Sequence, residues 1–206
     1  MNRPLDELRY FFTALGYFTR VPVPRWVGFE RAYLNAAARY FPLVGAMVGG
    51  VAALVYLAAL RVFPPGVAVL LSMAATLVLT GAFHEDGLAD CVDAFGGAYT
   101  RDDALRIMHD SRIGAFGAIA LVIALALKWQ TLAAMPPQRV AWTMIAAHAA
   151  SRVFAISDAN GSLSASSTAL RAATSLEEPS FASAFLSFCV AARAADRSAR
   201  PFDCFS

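Results

Sequence analysis

The chain has 206 residues, of which 58% are hydrophobic and 16% are charged. Soluble globular domains usually carry about 25% charged residues, so this composition excludes an ordinary soluble fold and predicts an integral membrane protein. The net charge of +2 and the absence of consecutive Lys or Arg residues argue against nucleic-acid binding.

The first element is an amphipathic helix over residues 5–19, which would lie on the membrane or pack on the helix bundle. Asp6, Glu7 and Arg9 interrupt its apolar face, so it does not resemble a cleavable signal. The following Val21-Pro22-Val23-Pro24 segment should be extended, because proline lacks a backbone donor and restricts its preceding residue.

Four spans are expected over residues 41–60, 66–84, 113–134 and 140–156. The first two contain uncharged runs of the roughly 20 residues that a bilayer requires, and Lys128 would snorkel from the third. Gly45, Gly49 and Gly50 form a small-residue stripe that suits close approach of another helix. Together these features predict an all-α, polytopic transmembrane bundle.

Positive charges set the expected orientation. Six arginines precede the first span, namely Arg3, Arg9, Arg20, Arg25, Arg31 and Arg39. Short loops rich in Lys and Arg stay cytoplasmic, so the N-terminus and the loop at 85–112 should be cytoplasmic, with the turn at 61–65 outside.

Seven of the fifteen acidic residues fall within residues 85–110. On a helix, Asp86, Asp90 and Asp93 would share one face at i, i+4 and i+7. Their mutual repulsion is relieved most simply by a divalent cation, and oxygen ligands with room for phosphate favour Mg²⁺. The alternative is a solvated acidic loop. His84 is a candidate ligand or base, although a single His at a helix end is more often structural.

A second cluster precedes the third span. Arg112 could bind a phosphate with two hydrogen bonds, and Asp110 could hold Arg112 or add a metal ligand. The alternative is a membrane anchor with an ion-paired neighbour, and spacing alone leaves both open. Asp102 and Asp103 look like the N-terminal charges of another helix. The cysteines show no metal or disulfide spacing.

Four segments resemble cobalamin synthases, the adenosylcobinamide-GDP ribazoletransferase family, in the same order. They are Phe18-Thr19-Arg20-Val21-Pro22-Val23-Pro24, Phe41-Pro42-Leu43-Val44-Gly45, Phe83-His84-Glu85-Asp86-Gly87-Leu88-Ala89-Asp90-Cys91-Val92-Asp93 and Met108-His109-Asp110-Ser111-Arg112-Ile113-Gly114. The resemblance covers residues 5–157.

The resemblance implies a multi-pass enzyme of the cell inner membrane that depends on Mg²⁺. Its substrates would be adenosylcobinamide-GDP and α-ribazole or α-ribazole 5′-phosphate, and its products adenosylcobalamin, or the 5′-phosphate, and GMP. Asp86, Asp90 and Asp93 would hold the metal, and Arg20, Asp110 and Arg112 the phosphates. Either Asp93 or His84 would be the base. Membrane lipid is the other expected partner, and the oligomeric state is not predicted.

Two departures from the family pattern stand out. His109 occupies a position where Lys or Arg is expected. Residues 158–206 replace the expected further spans with a segment in which Ala, Ser and Arg make up 26 of 49 residues. A shifted reading frame after about Ser157 would explain this change, in which case the bundle is incomplete, the Gly45/Gly49 stripe lacks its partner, the tail at 158–206 is aberrant and disordered, and the product is inactive.

Three other classes fit less well. A CDP-alcohol phosphotransferase would need an Asp where Phe83 stands, and an intramembrane prenyltransferase would need an Asn in place of Ala82. A transporter or ion channel would bury its carboxylates in the middle of a span, whereas these lie at a span end.

Overall fold

The computed structural model describes residues 3–28, 30–110 and 112–159. Within these ranges every secondary-structure element is an α-helix or a 3-10 helix, and no strand occurs. The eight α-helices are α1 (Arg3–Phe18), α2 (Arg31–Ala37), α3 (Phe41–Ala59), α4 (Pro65–Thr80), α5 (Phe83–Gly97), α6 (Arg101–Met108), α7 (Ala115–Ala134) and α8 (Pro137–Ala159). Residues 160–206 lie outside the described ranges, so the predicted aberrant tail falls almost wholly there. Its first two residues, 158 and 159, complete α8.

Two helices are long and apolar enough to cross a membrane among the described residues. They are the helical stretch Tyr33–Ala59, which includes α3, and α7. A third span exists if α4 and α5 count as one bent segment. The prediction of an all-α membrane bundle is therefore confirmed. The fourth predicted span, 140–156, lies inside α8, but α8 is not among these apolar candidates.

The second predicted span, 66–84, does not form one continuous helix. Helix α4 stops at Thr80, and the chain turns by 86° into α5. Gly81 and Ala82 both adopt left-handed backbone conformations, with φ values of 65° and 56°. Glycine accepts this conformation readily, whereas alanine rarely does, so nothing in the identity of Ala82 signals the bend.

Helix α8 packs along the glycine stripe of α3. A Cβ on Gly45 would collide with the His148 carbonyl, and one on Gly49 would lie 2.6 Å from the Ile145 Cα. The close approach predicted from the stripe is confirmed, but the expectation that the stripe lacks a partner was wrong, because α8 fills it. For Gly50, no atom of the described residues lies within 4 Å of such a Cβ.

The N-terminal helix docks on the bundle, as its amphipathic pattern predicted. Leu15 and Phe18 are buried with Val44 in one core cluster, whereas Leu5 and Leu8 remain about half exposed. The rest of the surface carries large exposed apolar side chains on the spanning helices, including Leu54, Val78, Ile119 and Val122. Such a surface is suited to lipid.

Candidate active site

The bend between α4 and α5 brings Arg20 to the beginning of α5, which carries the predicted acidic face and is called the acidic helix below. The Arg20 backbone N–H donates to the Leu79 carbonyl at 2.8 Å. Its guanidinium group lies against Gly81, where any side chain would collide with Nε. Arg20 is exposed, so its charge faces solvent at the N-terminal end of α5.

The predicted acidic face is present on α5. Asp86 is exposed, Asp90 is half-buried and Asp93 is 8% exposed. These three carboxylates form an acidic stripe that runs from the surface into the protein. Asp86 and Asp93 are separated by seven residues, which is about 10 Å along an α-helix. In the part of the chain that the structure describes, no three His, Cys, Asp or Glu side chains converge as metal ligands.

The innermost carboxylate is a helix cap. Asp93 Oδ2 accepts a hydrogen bond from the Gly114 N–H at 2.7 Å, and Oδ1 accepts one from the Gly117 N–H at 2.8 Å. These N–H groups belong to the N-terminus of α7, whose first donors lack partners within the helix and whose dipole attracts negative charge. A Cβ on either glycine would collide with the Asp93 carboxylate. Sequence reasoning missed this role of Gly114 and Gly117.

The α6–α7 connection carries the second predicted cluster. Arg112 Nη2 donates to Asp110 Oδ2 at 2.7 Å, and Arg112 Nε also contacts both carboxylate oxygens. These hydrogen bonds hold the pKa of Asp110 at about 2, below its usual 3.8. The Arg112 side chain is 87% exposed. Because Gly114 is fixed to Asp93, Arg112 lies near the C-terminal half of α5.

His84 lies in the first turn of α5. Its ring stacks on Phe18, with the ring centroids 5.9 Å apart, and it is half-buried. Phe18 also lies under the Arg152 guanidinium, whose central carbon is 5.1 Å from the ring centroid. The structure therefore brings His84 to α1 and α8.

Two charged residues inside the helices were not predicted as site residues. Lys128 on α7 lies within electrostatic range of Glu85 and Arg152. Arg152 is 2% exposed. Ionisable residues within apolar helices usually mark a functional interior, and that signal was present in the sequence of α7 and α8.

The donor set fits Mg²⁺ in part. Asp86 is exposed and Asp90 is half-buried, and Mg²⁺ is commonly held by one or two carboxylates together with waters and substrate phosphates. Asp93 is buried and both of its oxygens already accept backbone hydrogen bonds. The assignment of Asp86, Asp90 and Asp93 as metal ligands remains a prediction.

Fold and site together define a polytopic helical membrane protein with acidic and basic side chains gathered around a bent membrane segment. The chain belongs to the cobalamin-5-phosphate synthase family, whose match covers residues 10–198. The family prediction made from the four sequence segments is therefore confirmed. The family match does not favour the phosphotransferase and prenyltransferase alternatives.

Several relatives carry the name adenosylcobinamide-GDP ribazoletransferase. The Ralstonia pickettii (strain 12J) protein is 63% identical over 160 residues, covering 76% of this chain and 62% of the relative. The Ralstonia nicotianae (strain ATCC BAA-1114 / GMI1000) protein is 64% identical over 156 residues, covering 74% and 60%. The Shewanella oneidensis protein is 51% identical over 154 residues, covering 73% and 59%. The chain thus spans about 60% of the length of these relatives. No solved structure shows a significant match.

Proposed function

We propose that this chain carries active-site residues of an adenosylcobinamide-GDP ribazoletransferase. The reaction transfers the cobinamide phosphate of adenosylcobinamide-GDP to α-ribazole or α-ribazole 5′-phosphate, giving adenosylcobalamin or its 5′-phosphate and GMP. The observation that carries this proposal is the 63% identity to a relative of that name over three quarters of the chain.

The arrangement of charges supports phosphoryl transfer. Arg20 lies at one end of the acidic helix and Arg112 lies near the other, next to the docked Gly114. Two exposed guanidinium groups in these positions would bind the phosphates of a nucleotide-activated substrate. Asp110 holds the Arg112 fork in a fixed orientation, which limits the entropy that Arg112 loses on binding.

Asp86 and Asp90 would hold Mg²⁺ between these arginines. A bound Mg²⁺ would neutralise charge that develops on the pyrophosphate oxygens. We assign Asp93 to positioning, because its cap fixes α7 and the Arg112 segment against α5.

In the proposed step a ribazole hydroxyl oxygen attacks the cobinamide-side phosphorus. The bond from that phosphorus to the bridging oxygen breaks, and GMP leaves with the bridging oxygen. The hydroxyl proton passes to a base, for which His84 is the better candidate, since Asp93 is buried with both oxygens engaged. The enzyme would work in the inner membrane with residues 85–112 on the cytoplasmic side.

The position of bond cleavage tests the function. Adenosylcobinamide-GDP labelled at the cobinamide-side phosphorus should be supplied to membranes that contain the Ralstonia pickettii relative, with α-ribazole as acceptor. We expect all label in the corrinoid product and none in GMP. Label in GMP or in free phosphate would overturn the proposed reaction. Membranes from cells without the enzyme, supplied with the same labelled substrate, provide the background.

A further inference from the structure

A group of charged side chains lies inside the bundle, apart from the acidic stripe. It consists of Glu85 on α5, Lys128 on α7 and Arg152 on α8, and we call it the interior cluster. Glu85 is within electrostatic range of both Lys128 and Arg152. His84 and His148 are also within electrostatic range of both cations. None of these contacts was assigned a role above.

Arg152 is held rigidly but is not fully hydrogen-bonded. Its Nη1 donates to the His148 carbonyl at 2.8 Å and to Ser151 Oγ at 3.2 Å, and its guanidinium lies over Phe18. Gly45 on α3 leaves the space for its stem, since a Cβ there would lie 2.6 Å from the Arg152 Cδ. The Nε–H is buried and has no hydrogen-bond partner among the described residues. A buried unpaired donor on a charged group is costly.

Glu85 does not neutralise the cluster. Among the described residues, its Oε2 is also buried without a hydrogen-bond partner, and the ion pairs within 4 Å do not include Glu85, Lys128 or Arg152. Even if Glu85 moved to meet one cation, two positive side chains would face one negative side chain. A net positive charge in an apolar interior is stabilised by an anion that reaches it.

We infer that Arg152 and Lys128 form a second phosphate subsite, which binds an anionic phosphate oxygen of the substrate on the interior side of α5. The inference rests on the proposed function, because a pyrophosphate ester is the anion which that substrate would bring. Arginine binds phosphate through a fork that includes Nε, and the Nε of Arg152 is the unpartnered donor. Glu85 adjoins Asp86, so this subsite would lie next to the proposed metal ligands.

Binding of inorganic pyrophosphate tests the subsite directly. The full 206-residue chain should be placed in phosphatidylcholine nanodiscs and titrated calorimetrically in the presence of EDTA, which removes any contribution from Mg²⁺. We expect Arg152→Gln and Lys128→Gln each to weaken pyrophosphate binding at least tenfold. Arg139→Gln is the matched control, because Arg139 is on the same helix as Arg152 but is exposed, and its affinity should be unchanged.

A thermal scan without ligand separates binding from structure. If Arg152→Gln lowers the melting temperature but leaves pyrophosphate affinity unchanged, Arg152 is only structural and the inference is wrong. If Arg152→Gln does not fold, the pyrophosphate affinity of Lys128→Gln tests the subsite instead. Wild-type affinity in that variant would overturn the subsite.

Two further arms identify the source of the phosphate and separate this inference from the proposed function. Adding phosphatidylglycerol to the nanodiscs should leave pyrophosphate affinity unchanged, whereas competition that depends on Arg152 would assign the site to lipid instead and contradict a substrate subsite. Asp86→Asn should bind pyrophosphate normally in EDTA. If the full-length relative shows no transfer activity while pyrophosphate binding still depends on Arg152 and Lys128, only the proposed function is contradicted. If pyrophosphate affinity does not depend on Arg152 and Lys128, the subsite is contradicted.

Discussion

Asp93 joins α5 to α7 by accepting the Gly117 N–H on Oδ1 at 2.8 Å, across 24 residues of sequence. Its other oxygen accepts the Gly114 N–H at 2.7 Å. One buried carboxylate therefore fixes the N-terminus of a membrane-spanning helix against the acidic helix. This contact orients the loop that carries Arg112.

The cap predicts a stability effect at Asp93. Asp93→Asn removes the charge that the α7 dipole attracts and presents an amide NH₂ to one of the two backbone donors. We expect a loss of about 1–3 kcal/mol in the free energy of unfolding, measured by denaturant unfolding in detergent. Asp86→Asn is the control and should unfold like the wild type, because Asp86 is exposed. Equal stability of the two variants would contradict the cap.

The glycines facing Asp93 predict a steric effect. Gly117→Ala places a methyl group against the Asp93 carboxylate and the Ala89 carbonyl, 2.8 Å away, so α7 must shift. We expect a destabilisation of about 1–3 kcal/mol in the same unfolding assay. Gly97→Ala is a suitable comparison, since the nearest atom to its Cβ lies at 3.6 Å. A neutral Gly117→Ala would show that α7 can move freely from α5.

The α3–α8 contact predicts different results at neighbouring glycines. Gly49→Ala should destabilise the bundle by about 1–3 kcal/mol because its methyl group meets the α8 backbone. Gly50→Ala should be neutral or stabilising by up to about 1 kcal/mol, because alanine is the better helix former and space is open there. Thermal unfolding followed by circular dichroism checks the order of the two variants, and the reverse order would contradict the packing.

The orientation of the site predicts a labelling pattern. In a background where the native cysteines are replaced by serine, Tyr99→Cys should resist a membrane-impermeant maleimide in intact cells and react after permeabilisation. Tyr99 is fully exposed, so poor access within the protein cannot explain protection. Val62→Cys, 76% exposed in the α3–α4 turn, should react in intact cells. Labelling of Tyr99→Cys from outside would invert the topology.

The frameshift hypothesis makes a prediction about the gene. One of the two other reading frames after codon 157 should encode apolar runs of about 20 residues, enough to span a bilayer. Restoring that frame should allow the product to complement a strain without the enzyme, whereas the 206-residue chain should not. The hypothesis fails if neither frame encodes such runs, or if the chain as it stands complements.

Hydrophobic runs were sufficient to predict the long apolar helices α3 and α7, because a span needs only length and apolarity. The predicted ends of the runs at 41–60, 113–134 and 140–156 lie within three residues of the ends of α3, α7 and α8. They did not show where α4 ends, since the bend depends on a left-handed conformation at Ala82 that alanine does not signal. The bend matters because it places Arg20 at the start of the acidic helix.

Helical spacing also predicted the shared face of Asp86, Asp90 and Asp93. It could not show that Asp93 turns into the protein, because its partners Gly114 and Gly117 come from a helix more than 20 residues later. The interior cluster escaped prediction for the same reason. Glu85, Lys128 and Arg152 lie on three separate helices, and only tertiary packing brings them together.

The most direct test of the central claim is GMP release from adenosylcobinamide-GDP in membranes that contain the Ralstonia pickettii relative. Asn should be introduced at the positions aligned with Asp86 and Asp90. Asn at the position aligned with Asp103 is the control, since Asp103 lies in the first turn of α6, where its N–H donates to the capping Thr100 hydroxyl and its carboxylate pairs with Arg106. We predict that either substitution at the acidic stripe lowers GMP release at least a hundredfold at limiting Mg²⁺, while the control retains wild-type activity. Near-normal release from both stripe variants would contradict the account.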